Sequence, residues 1–217
     1  MHNSARPRRI LAFEPYDGGS HRAVRESISR HSRHEWRWLT RPARGWKWRM
    51  RLGALEMLEQ AEAAGEFERP IDVIFATSLM SLADLVAGLP SRLRGTPTIL
   101  YMHENQVAYP HGHEPEERGD FRGAAPGLGD RDVHFALTNL TSILSADRII
   151  FNSEWNRRSF IEGIERVLAH APDGGLSDVA GRIECRSEVI WPPVEPPPPE
   201  TKALAVSAAE ARSPAGR

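Results

Sequence analysis

With 217 residues, of which 40% are hydrophobic and 26% charged, the chain has the composition of one well-buried globular domain plus a tail and lacks the length for a second full domain. The net charge is -1, and the single cysteine excludes an internal disulfide and a cysteine zinc cage; Cys185, beside a late strand, is expected to be a buried structural thiol. No apolar run reaches the ~20 residues of a membrane span, and MHNSARPRRI has no apolar signal core, so a cytoplasmic protein without a membrane partner is expected.

Residues 8 to 14 (RRILAFE) read as a buried strand followed by EPYDGGSH, Glu14 to His21. Gly18 and Gly19 can take positive φ and leave no Cβ in the way, so backbone N–H groups can approach an anion where a helix opens; an ordinary turn has the same composition. That helix is expected over 20–33 with Ser20 as N-cap. HEWRWLT, residues 34 to 40, alternates as an outer strand does. From Arg6 to Arg51 thirteen Lys/Arg stand against four Asp/Glu, either a solvated arginine-rich face or a surface for a polyanion. Within it, RPARGWKWRMR places Trp46 and Trp48 among Lys47, Arg49 and Arg51 in a loop before a helix from about Arg49 to Ala64. Cations beside indoles suit phosphates and stacked bases, and packing of both tryptophans onto the sheet is the alternative.

IDVIFAT (71–77) and PTILYMH (97–103) are near-continuous apolar runs, as central parallel strands are, with a short helix between them over 81–89. Strands alternating with helices predict a doubly wound, Rossmann-like α/β sheet, whose ligands sit at the carboxyl ends of the strands near the switch in strand order. His103, Glu104, Asn105, Gln106 and Tyr109 fall at such an end. His111, His113 and Glu114, in the Gly/Pro-rich stretch 110–129, lack a scaffolded metal-ligand spacing and are not read as a metal site. A helix over 131–146 carries Arg131, Asp132 and Asn139 toward the same edge. DRIIFN (147–152) is the next strand, and Asn152 and Ser153 at its end either bind an anion or hydroxyls or cap the helix over 154–170. A last strand is expected over 184–191, giving a domain over 1–195 and a Pro/Ala-rich, disordered tail or truncated linker over 196–217.

In order along the chain, EPYDGGSH, GWKWRMR, HENQVAYP, RDVHFALTN and FNSEWNRRSF resemble the N-terminal half of the glycosyltransferase-like-domain family that includes the tRNA-queuosine alpha-mannosyltransferases. The resemblance covers roughly residues 8 to 194. It implies one Rossmann-like half of a retaining GT-B glycosyltransferase that transfers mannose from GDP-mannose to queuosine in a tRNA anticodon, with no metal and no other cofactor. It further implies that Gly18, Gly19, Ser20, Asn152 and Ser153 face the donor diphosphate and that His103 reaches the transferred sugar, supported by Glu104. Tyr16, His21, Trp46, Lys47, Trp48, Arg49, Asn105, Gln106, Tyr109, Arg131, Asp132 and Asn139 would then face the acceptor. Same-face attack with the leaving phosphate as base would account for retention. The family's donor domain has no counterpart after Trp191, so a separate C-terminal partner is expected if the chain is catalytic; a non-catalytic module that binds tRNA or a nucleotide is the alternative.

Overall fold

A computed structural model describes residues 6–107, 130–171 and 175–193, with the side chains of 130–132 outside the description. Six strands form one parallel sheet in the order β2-β1-β3-β4-β5-β6: β1 Arg9–Asp17, β2 Glu35–Pro42, β3 Val73–Thr77, β4 Thr98–Met102, β5 Arg148–Phe151 and β6 Ser187–Val189. The helices are α1 Gly19–His31, α2 Trp46–Ala63, α3 Leu82–Gly88, α4 Asp130–Ser145, α5 Glu154–Leu168 and α6 Val179–Glu184. The Rossmann-like α/β class expected from the alternation is the observed one.

The core explains the strand patterns. Leu11, Phe13, Ile74, Leu100, Met102, Ile149 and Phe151 point to one face and pack with Met57 of α2, Leu85 of α3, Leu140 and Ile143 of α4, Phe160 of α5 and Ile183 of α6. Ile10, Ala12, Phe75 and Tyr101 point to the other, with Val24 of α1, and Trp36 and Trp38 of β2 stack there at 5.2 Å, edge-on to Phe75. The first seven residues of β1 are all buried, as befits a strand covered on both faces, whereas β2 alternates because it is an edge.

Because β2 lies on one side of β1 and β3 on the other, the chain reverses its direction across the sheet at β1/β3. That switch brings the ends of β1, β3 and β4 together at one rim, the position at which open α/β sheets hold ligands.

Several local expectations need correction. β1 continues to Asp17, so the glycine turn is shorter than the motif suggested. Gly18, not Ser20, is the N-cap of α1, and Ser20 lies inside the first turn with no side-chain cap formed. α2 begins at Trp46 rather than Arg49, because Gly45 in the left-handed region (φ 62°, ψ 47°) turns the chain directly into the helix; Trp46 to Trp48 are helical, not loop. Glu184 ends α6 instead of opening a strand, and Cys185 is the exposed C-cap of that helix rather than a buried thiol. The stretch 110–129, with His111, His113 and Glu114, and the tail 196–217 lie outside the described residues, as does Tyr109.

Candidate functional site

The rim at the switch point is built from two glycines and two imidazoles. Gly18 approaches the chain after β2 so closely that a Cβ on it would stand 2.4 Å from that of Ala43, and Gly19 has φ +52° with open space around it. Gly18 N–H donates to Tyr16 O at 2.9 Å, whereas the N–H groups of Gly19 and Ser20 have no partner among the described residues. With no capping side chain and no acidic residue in its first turn, the N-terminus of α1 is open to an anion.

From the second residue after that cap-adjacent glycine, His21 turns inward. Its Nδ1 lies 3.1 Å from both carboxylate oxygens of Glu14, which is wholly buried and also accepts Tyr16 N–H at 2.9 Å. With Glu14 as a carboxylate, Nδ1 carries the hydrogen of this contact. The ring of His21 stacks on that of His103, directly after β4, with centroids 4.0 Å apart and planes 20° from parallel. Tyr101 meets His103 edge-on at 4.6 Å, and Tyr16 meets His21 in the same way at 5.8 Å.

His103 is 9% exposed, and its Nε2 has no hydrogen-bond partner among the described residues. Burial, reinforced by His21, depresses its pKa to about 3, so it is neutral at physiological pH. A buried, uncharged imidazole with an unsatisfied nitrogen is an incomplete hydrogen-bonding group in a site. Glu14, His21 and His103 each bring a ligand-type atom within 4.8 Å of the others. Nδ1 of His21 is held by both oxygens of Glu14 and the two rings lie face to face, so the cluster is bound together as a hydrogen-bonded stack.

The remaining residues of the rim divide by what holds them. Asn152 Nδ2 donates to His103 O at 2.5 Å, and Asn152 Oδ1 accepts from Asn156 Nδ2 at 2.9 Å. Ser153 Oγ caps α5 by accepting Asn156 N–H at 3.1 Å, and the first turn of that helix carries Glu154, so its N-terminus is occupied and repels an anion. Asn105 is buried and donates to Asn156 Oδ1 at 2.6 Å. Asn139 is also buried: it donates to Ser78 O at 3.1 Å and accepts Gln106 N–H at 3.0 Å, tying α4 to the ends of β3 and β4. Asn152, Ser153, Asn105 and Asn139 therefore brace the rim from behind. Glu104 and Gln106 are half-buried beside His103, and the side chains of Arg131 and Asp132 lie outside the description.

At the far end of the rim, beside Ala43 and Gly18, the first turn of α2 presents Trp46, Lys47 and Trp48. Trp46 is half-buried against Phe135 of α4, with centroids 5.1 Å apart, and Lys47 Nζ lies 5.8 Å from its ring. Trp48 is 71% exposed. Arg49 is held by Glu56, whereas Arg44, Lys47 and Arg51 are exposed and have no carboxylate partner among the described residues. The two readings of the tryptophan motif thus divide between its members: Trp46 packs, and Trp48 does not.

Sequence reasoning placed the glycines, His21 and His103 at one edge but missed Glu14 and Asn156. Glu14 lies within β1 and Asn156 in the first turn of α5, and only their burial distinguishes them. Glu14 had one legible signal, a carboxylate directly after the apolar run Ile10 to Phe13.

A parallel, doubly wound sheet with an uncapped glycine turn and a buried imidazole pair at its switch point defines a Rossmann-like domain with a polar site on its carboxyl edge. Residues 9–194 match the family model for the tRNA-queuosine alpha-mannosyltransferase N-terminal region, and the chain belongs to that family. It is 31% identical over 186 residues to the tRNA-queuosine alpha-mannosyltransferase of Drosophila melanogaster, covering 85% of this chain and 44% of the fly protein. The chain thus spans less than half the length of that curated relative.

Proposed function

We propose that this domain is the acceptor-side half of a retaining GT-B mannosyltransferase that moves mannose from GDP-mannose to queuosine in tRNA, acting in the cytoplasm together with a C-terminal donor half. The observation that carries the reading is the neutral His103 with its unpartnered Nε2 beside the open N-terminus of α1, in a chain that matches the family from end to end of the domain. In this reading the free N–H groups of Gly19 and Ser20 meet the donor diphosphate, and the helix dipole stabilises the charge that develops on it as the glycosidic bond breaks. His103 Nε2 meets a hydroxyl of the transferred sugar; a neutral imidazole can do this as donor or acceptor without placing a second positive charge beside an oxocarbenium-like centre. The leaving phosphate takes the proton of the attacking queuosine hydroxyl on the same face, and no metal is required.

tRNA lies along α2. The cations Arg44, Lys47 and Arg51 meet its phosphates, and Trp48 stacks on an unpaired base of the anticodon loop. The test is mannose transfer by a complete relative given queuosine tRNA and GDP-mannose, comparing wild type with the equivalent of His103→Ala. A loss of at least ~100-fold in kcat is expected for a group contacting the sugar in the transition state; undiminished transfer removes His103 from that role. If this chain binds tRNA but contributes nothing to transfer when joined to a donor half, it is a binding module instead.

A further inference from the structure

The outer face of α2 is apolar at its middle and oppositely charged toward its two ends. Met50, Gly53, Ala54, Met57, Leu58 and Ala61 turn inward and are buried. Trp48, Leu52 and Leu55, four and three residues apart, form one line on the opposite side and are 71%, 41% and 52% exposed. A row of large apolar side chains on a helix whose other face already fills the core marks a contact surface. The charges beside that row are ordered as well: Lys47, Arg49 and Arg51 lie in the first half of the helix, Glu56, Glu59 and Glu62 in the second. Glu56 holds Arg49 and Arg41, whereas Lys47, Arg51, Glu59 and Glu62 are exposed with no ion-pair partner among the described residues. A cation in the first turn and a carboxylate in the last both add to the helix dipole instead of offsetting it, so each end of α2 lacks its counter-charge within the fold.

We propose that α2 is a self-association surface, on which a second copy of this chain docks its own α2 antiparallel, about a two-fold axis at Leu55. Arg51 and Glu59 stand four residues to either side of Leu55, and Trp48 and Glu62 seven, so all five share one face. The two-fold pairing is therefore self-complementary: Arg51 of each copy falls opposite Glu59 of the other, Leu55 meets its own equivalent, and Trp48 reaches the last turn of the facing helix. Antiparallel docking also sets the positive end of each helix against the negative end of the other, which supplies the missing counter-charge at both. A polyanion matches only the first half of this face, because Glu59 and Glu62 repel it and Leu52 and Leu55 offer its phosphates nothing. Trp48 and Arg51 also stand in the tRNA contact proposed above, so tRNA and the second copy compete for α2; the competition, unlike the pairing, rests on that reading.

Sedimentation equilibrium of the 217-residue chain tests the surface. The average mass is expected to rise from one chain toward two over about 1–200 μM, since a contact of one helix per copy lies at the weak end of interface sizes. Leu55→Glu, at an exposed position where the fold is not at stake, sets two carboxylates against each other on the axis and is expected to weaken association at least ~10-fold. Arg51→Glu or Glu59→Arg alone is expected to do the same. The double variant Arg51→Glu/Glu59→Arg, in which opposite charges face each other again, is expected to return to within about 3-fold of wild type. Added tRNA should lower the dimer fraction, and tRNA bound by the undissociated dimer contradicts the competition. A chain that stays monomeric throughout, a dimer indifferent to Leu55→Glu, or a double variant no better than its singles overturns the self-association surface and leaves the proposed function standing. A monomer whose tRNA affinity falls with Leu55→Glu overturns it too and assigns the whole face to RNA. A dimer that forms as described while tRNA fails to bind overturns the tRNA contact on α2 and leaves the pairing.

Discussion

His21 and His103 lie ring on ring at 4.0 Å although one comes from the helix after β1 and the other from the turn after β4. The switch in strand order makes the pairing possible, since it sets β1 beside β3 and β3 beside β4 with all carboxyl ends on one rim. Burial, and after it the neighbouring His21, then keep His103 uncharged.

The first prediction concerns pH. His103 has a folded pKa of about 3, below the ordinary value of 6.5, so the unfolded chain binds a proton there that the folded chain refuses. Its contribution is fully present above pH 6.5 and is lost as pH falls from there toward 3. Between pH 7 and 5 this group alone is expected to lower unfolding free energy by about 2 kcal/mol. Glu14, His21 and Tyr101 surround it, and Tyr101, raised to about 12 by burial, does not titrate in that range. Urea unfolding at the two pH values, with His103→Gln as the variant from which this slope is missing, measures the effect.

A second prediction follows from Asn156, which ties the end of β4 to α5. Its Nδ2 donates to Met102 O and to Asn152 Oδ1, each at 2.9 Å, and its Oδ1 accepts from Asn105. Asn156→Ala removes these three buried side-chain hydrogen bonds, each worth about 1 kcal/mol, while Met102 O keeps Asn152 N–H at 3.3 Å and the Asn105 amide keeps Asn156 O at 3.3 Å and Ser159 Oγ at 3.2 Å. A destabilisation of about 3 kcal/mol is expected in chemical denaturation, against about 0.5 kcal/mol or less for an exposed control such as Arg158→Ala.

The two glycines of the turn should respond differently. Gly18→Ala drives a methyl into Ala43, with which it would stand at 2.4 Å, so the segment leading into α2 must move; about 1–3 kcal/mol of stability and a measurable loss of GDP binding are expected. Gly19→Ala meets no atom within 4 Å but must hold φ +52°, at about 1–2 kcal/mol, and isothermal titration should show GDP binding within a few-fold of wild type.

On α2, reversal of Arg44, Lys47 and Arg51 to Glu should flatten the dependence of tRNA affinity on salt. For every phosphate that the protein no longer neutralises, the slope of log K against log salt becomes shallower by about 0.7–0.9. Trp48→Ala should weaken tRNA by about 1–3 kcal/mol at any salt concentration, the value of one stacked base, while Trp46→Ala acts on stability through Phe135. Filter binding over a salt series separates the two contributions.

The strands were legible because their signal is burial on both faces: IDVIFAT and PTILYMH admit little else. Helix beginnings were less so. Ser20 has the chemistry of a cap, yet β1 runs three residues beyond the expected strand 8–14, to Asp17, and the cap falls on Gly18. Gly45 reads as a loop residue and is in fact the left-handed entry to α2, which changes Trp48 from a loop side chain into an exposed helical one. Cys185 falls in the strand expected over 184–191, but that strand begins only at Ser187, and the cysteine caps the six-residue helix before it, outside the core. At the site, individual polar residues could be assigned to an edge, but the distinction between those that face the rim and those that brace it depends on long-range hydrogen bonds. Asn139 and Asn105 have the composition of ligand-binding residues, and both are tied to backbone or side chains of neighbouring elements.

The central claim, that this domain supplies the acceptor side and the imidazole pair of a mannosyl transfer, is tested most directly by joining residues 1–193 to the remaining C-terminal part of the fly relative and assaying queuosine tRNA with GDP-mannose. Mass spectrometry of the tRNA nucleosides should show mannosyl-queuosine with the wild-type chimera and at least ~100-fold less with His103→Ala. Equal product from the two, in a chimera shown to fold, would contradict the account.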